Sequence, residues 1–93
     1  MPKFLVIHQT MPTPMKLEDG APLMKRIAAN MTAECYWVAT WCEANAEGKA
    51  VKIFCRYDAT DIETLRKALT KYCPELPVEG IYPLMTFESS DFR

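Results

Sequence analysis

The chain of 93 residues holds one histidine, His8, and four cysteines, Cys35, Cys42, Cys55 and Cys73. These five side chains are the first candidates for acid–base or metal chemistry, beside the carboxylates. An imidazole titrates near neutrality and is the commonest metal ligand, so His8 is the candidate general acid or base and the candidate metal ligand. The same ring at a strand end also serves when it is simply bonded to backbone or water. Cysteine sulfur is a soft ligand for nickel, copper or zinc, but no C-x-x-C pair supplies the spacing of a structural zinc site. A buried free cysteine otherwise packs as a small hydrophobe. Cys42 and Cys55 fall on neighbouring strands of a hairpin, and Cys73, at a helix end, is the thiol expected at the surface.

A second group of residues suits ligand binding. Lys52 and Arg56 share one face of a strand and can hold an anion, Arg through its planar fork; the alternative is a solvated pair at the rim of an interface. Trp37 and Trp41 share a face under strict strand alternation. Together with Phe54 and Tyr57 they would line an aromatic wall for a ligand, or pack in a core. There is no Ser/His/Asp set, no Gly-rich phosphate loop and no carboxylate cluster at a readable spacing.

The elements that must position these residues follow from periodicity. Lys3 to Gln9 is a short apolar run with branched residues and reads as a strand. The segment Thr10 to Lys16 contains Pro12 and Pro14, which force an extended connector. A helix begins near Asp19 or Ala21, with Pro22 in its first turn and an apolar stripe of Met24, Ile27, Ala28 and Met31. Cys35 to Glu43 and Lys49 to Tyr57 are strands joined by a turn in which Gly48 is free to take a positive φ. Thr60 and Glu63 form a capping box for a second helix carrying Ile62, Leu65, Leu69 and Tyr72, and Pro74 ends it. Gly80 to Phe87 is the last strand. Pro83 cannot donate to a ladder, which places that strand at an edge.

The order β-α-β-β-α-β is that of a ferredoxin-like α+β domain. It predicts a four-stranded antiparallel sheet in the order 4-1-3-2 with two helices on one face. The other face is then bare, and Lys52, Phe54 and Arg56 are the residues of the third strand assigned to it, since positions under helices seldom take two cations. With the aromatics of the second strand it exposes roughly several hundred Å² of apolar surface, which marks an interaction site. A second copy, face against face, covers it and closes a dimeric α+β barrel.

Composition narrows the partners. Eleven basic and twelve acidic side chains nearly cancel, which argues against the clustered positive footprint that nucleic acid demands and against an electrostatic hold on a membrane. No apolar run approaches the ~20 residues that span a bilayer. The opening segment lacks a signal-peptide cleavage pattern, so the expected setting is cytoplasmic, with reduced thiols.

Trp37-Val38, Lys52-Ile53-Phe54-Cys55-Arg56-Tyr57 and Asp58-Ala59-Thr60-Asp61 leading into Leu65-Arg66-Lys67 resemble a small bacterial family. It is long classed as a domain of unknown function, and some of its members are described as nickel-binding. Lys3-Phe4-Leu5-Val6 is similar to that family's opening strand, and about two-thirds of the chain takes part in the resemblance. It implies a ferredoxin-like fold, a dimeric α+β barrel and a nickel site. The family's histidines after the Trp-Val pair and in the second helix fall at Ala39 and Ala68 here, so a site in this chain needs His8, cysteine sulfur or carboxylates. The expectation is a homodimeric binding protein for a divalent metal or small ligand. The alternative is a cofactor-independent enzyme, a monooxygenase or isomerase type acting on an aromatic compound, with Trp37, Trp41, Phe54 and Tyr57 around its pocket and His8 or Arg56 at the wall.

Overall fold

The computed structural model describes residues 1–93. Its elements are β1 (Lys3–His8), α1 (Leu17–Ala29), β2 (Cys35–Ala44), β3 (Ala50–Ala59), α2 (Ile62–Tyr72), β4 (Val78–Pro83) and a short 3₁₀ turn, Ser89–Asp91. The strands form one sheet in the order β2-β3-β1-β4, which from the opposite edge reads 4-1-3-2, and every neighbouring pair is antiparallel. This α+β arrangement is consistent with a ferredoxin-like fold. β4 lies at an edge, and Pro83 is its last residue rather than an interior one. The strand starts two residues before Gly80 and does not continue to Phe87.

The core lies between the helices and one sheet face. Phe4 and Val6 of β1 and Ile53, Cys55, Tyr57 and Ala59 of β3 pack with Leu23 and Ile27 of α1 and Leu65 and Leu69 of α2. Period-two burial on both central strands produces that face directly.

The helices differ from expectation in detail. α1 starts at Leu17, so Pro22 lies inside it, and its buried stripe is Gly20, Leu23 and Ile27 rather than the stripe centred on Met24 and Ala28. Met31 falls beyond its end. Gly20 is buried beside Met15, whose methyl would stand 3.4 Å from a Cβ placed there, an ordinary van der Waals distance. α2 is capped by Asp61, not Thr60: its carboxylate accepts the Thr64 N–H at 2.7 Å. That bond holds the Asp61 carboxyl below its ordinary range.

The connector is anchored. Met11 N–H donates to Val51 O at 2.9 Å, and Met15 and Ala50 exchange two bonds at 2.9 and 2.8 Å. Prolines between those contacts keep it extended without occupying any of the donors used.

Candidate functional site

The register of the strands defines the uncovered face. Directly paired residues point to the same side, so reading across β4, β1, β3 and β2 gives rows. Tyr82, Leu5, Arg56 and Ala39 form one row; Gly80, Ile7, Phe54 and Trp41 form the next. Lys3, Asp58 and Tyr36 border them at one end, and Lys52 and Glu43 at the other. Leu5, Ile7 and Phe54 are half-buried, whereas Trp41, Tyr82 and Tyr36 are exposed, Trp41 at 55%. Gly80 leaves room for Tyr82 to lie back along the face: a Cβ there would meet the phenol ring, 2.6 Å from its Cζ.

Trp37 and Trp41 do not share a face. The pairing runs Trp37 with Tyr57, then Ala39 with Arg56, so Val38 is an extra residue and the strand bulges there. From Ala39 to Glu43 the side chains of β2 are inverted relative to simple alternation. Trp37 therefore lies on the helix side, where its indole N–H donates to Thr40 Oγ1 at 2.8 Å, and Trp41 lies on the open side against Phe54. Tyr57 is buried under the helices, and burial pushes its hydroxyl well above the ordinary tyrosine range. The expected wall is thus split. Trp41, Phe54, Lys52 and Arg56 stay together on the open face, while Trp37, Tyr57 and His8 lie behind the sheet.

His8 is 1% exposed. Its Nδ1 lies 2.9 Å from Leu76 O, so Nδ1 carries the proton and donates. Nε2 is buried without a partner, and burial holds the ring's pKa below 6.5. The ring is neutral at neutral pH and faces away from the open side. No three His, Cys, Asp or Glu side chains come together in a group able to hold a metal ion. The nickel site implied by the resemblance does not fit these residues: one imidazole has one nitrogen already engaged, and Ala39 and Ala68 offer no ligand.

All four thiols are free. Cys73, expected at the surface, is buried, and Cys42 is the exposed one. Burial raises Cys55 and Cys73 to about 11, so neither is a thiolate at neutral pH. Cys55 also shares a 3.2 Å contact with Thr40 Oγ1.

Sequence reasoning missed the polar group beside Arg56. Asp58, on the open face yet only 8% exposed, accepts the Tyr36 hydroxyl at 3.3 Å and an Arg56 Nη2–H at 3.4 Å. Extending β3's alternation by one position, from Arg56 to Asp58, would have placed it there. Arg56 has no other acceptor in the chain, and its Nε is buried and unpartnered. Lys52 is engaged with Glu79 at 3.0 Å.

A narrow crevice of about 20 Å³ beside Trp37 and Tyr57 and two wider concavities lie on the helix side. A groove of about 510 Å³ separates α2 from β4, with Arg66, Leu69, Cys73 and Ile81 in its walls. An apolar cleft of about 240 Å³ lies between α1 and the β2–β3 hairpin, lined by Met15, Leu17, Met24 and Ile53. Neither wider concavity includes the tryptophans, Arg56 or His8. No helix is long and apolar enough to cross a membrane. Compared with protein-family models, curated proteins and solved structures, the chain finds no match.

Proposed function

We propose that this chain is a small-ligand-binding protein that works as a homodimeric, ferredoxin-like α+β barrel, with two open sheet faces enclosing the ligand. The observation that carries this reading is the open face itself. Leu5, Ile7, Phe54, Trp41 and Tyr82 lie on two adjoining rows that no other element covers. A contiguous apolar surface of that kind marks an interaction site.

Charge favours a second copy as the cover. One end of the face carries Lys3 and Arg56 against Asp58; the other carries Glu43 and Glu79 against Lys52. The ends therefore differ in sign. A two-fold axis across the strands sets the positive end of one copy over the negative end of the other, and such complementarity fixes orientation more than it adds affinity. The apolar rows then supply the affinity.

The enzyme reading is second. The hydrogen-bonded Tyr36–Asp58–Arg56 chain favours it, because it places a hydroxyl, a carboxylate and a guanidinium on the same enclosed surface.

Light scattering on the eluting protein tests the main reading. The expected mass is twice the 10.6 kDa of the chain. Trp41→Glu should elute as a monomer with unchanged far-ultraviolet circular dichroism, since Trp41 contributes nothing to the helix-side core. A monomeric parent protein at tens of micromolar would overturn the dimer.

A further inference from the structure

We infer that the open face binds a planar aromatic carboxylate, with Arg56 anchoring the carboxylate and the Phe54–Trp41 row carrying the ring. The inference rests on the reading of this face as a ligand-binding surface and names the chemistry of that ligand.

The argument begins with unused donors. A guanidinium has five N–H groups in a fixed fork that matches a carboxylate. Arg56 spends one on Asp58, at 3.4 Å, a long bond for a charged pair. Nε is shut off from water and has no acceptor, and Nη1 has no protein partner either. The side chain is only 20% exposed, so it is largely stripped of solvent without being satisfied. A buried donor left unmade is unfavourable, and more so when it is charged. Nη1, unlike Nε, is not closed off from solvent, so an anion can bridge it and Nη2 at the free end of the fork.

Asp58 does not remove the case for an anion. It is shared with the Tyr36 hydroxyl, and Lys3, its partner across β1, adds a second cation at that end of the sheet. The local balance is therefore positive. Asp58 acts as a positioning residue, holding one edge of the guanidinium so that the other edge faces the surface.

The neighbouring row specifies the rest of the ligand. Phe54 is two residues from Arg56 on the same face, about 7 Å along the strand, and Trp41 lies directly opposite Phe54 with Ile7 on its other side. A ring laid on Phe54 and Trp41 places its carboxylate toward Arg56. Inorganic anions would engage the guanidinium but leave the aromatic row unused. Neutral aromatics would do the reverse.

Calorimetric titration with 1-naphthoate, 1-naphthamide and inorganic phosphate tests this, with Trp41 emission followed in a Trp37→Phe background. Naphthoate should bind and quench Trp41, and the amide should bind at least about tenfold more weakly because it leaves the fork unpaired. Arg56→Lys should weaken naphthoate by about tenfold or more, since Lys keeps the charge but loses the bidentate geometry. Arg56→Met should abolish binding; Arg56→Lys keeps the test decisive where the Met variant does not fold. Equal binding of acid and amide, phosphate binding as tightly as naphthoate, or an Arg56→Lys protein that binds like the parent would each overturn the inference. Light scattering on the same samples separates it from the dimer. A dimer that binds no naphthoate overturns the ligand class alone; a monomer that binds it with the expected Arg56 dependence supports the ligand class and overturns the enclosure.

Discussion

Protonation of His8 should set the stability of this protein between mildly alkaline and mildly acidic pH. The ring is the chain's only histidine, it is almost fully buried, and its Nε2 has no acceptor to receive a new proton's hydrogen bond. Its folded pKa therefore lies below the ordinary value of 6.5, with burial as the main cause. In the window between the two values the unfolded chain binds more protons than the folded one, so stability falls as pH falls. Above the unfolded value both states are neutral and His8 contributes no slope. For a native ring that stays neutral, going from about pH 7.5 to about pH 5.5 costs at most about 1.4 kcal/mol. Urea unfolding at the two pH values, at one fixed protein concentration because dimerisation would add its own term, measures this. His8→Leu should abolish the difference between the two pH values, whatever it does to stability at either one. Parent and variant showing the same pH dependence would refute the placement of an uncharged imidazole with an unpartnered Nε2 in the core.

Two further outcomes test local features. Asp61→Ala should cost about 1 kcal/mol through loss of the α2 cap, whereas Thr60→Ala should change stability by less than about 0.5 kcal/mol; chemical denaturation compares them, and the opposite ranking would restore Thr60 as the cap. In the folded protein a bulky disulfide reagent should titrate Cys42 quickly, with Cys35, Cys55 and Cys73 reacting only on unfolding. A kinetic thiol count by absorbance checks this.

Much of the architecture was legible because the signals were local and repetitive. The apolar run from Phe4 to Ile7 and the alternation of Ile53, Cys55 and Tyr57 along β3 gave the two central strands, and Leu65 and Leu69 gave the buried stripe of α2. Pro83 marked the edge strand. The start of α1 was harder to read: proline usually sits in a first turn, yet Leu17–Ala29 continues through Pro22. Tertiary packing of Gly20 against Met15 and of Leu23 and Ile27 in the core decides that helix.

The candidate site was readable only in part. Lys52, Phe54 and Arg56 were grouped by alternation and assigned to the open face by their two cations, and β3 places them there. The tryptophans were misassigned relative to each other because one inserted residue reverses strand parity. No feature of Trp37-Val38-Ala39 announces that insertion; it becomes visible only when β3 supplies the register. His8 carried no sign of its side either, since both β1 faces are apolar. The Asp58 cluster depends on contacts between strands twenty-two residues apart.

The irregularity at Val38 also bears on edge-to-edge association of the sheet. β2 is a ten-residue strand with one free edge, the kind of element that recruits further strands into an open-ended stack. Its ladder is broken at Trp37/Ala39 and again at Glu43/Ala44, and β4 stops at a proline on the far side. Neither border offers a long unbroken row of donors and acceptors. Edge-to-edge growth along the sheet is thereby disfavoured, whereas the proposed face-to-face dimer would close on itself after two copies.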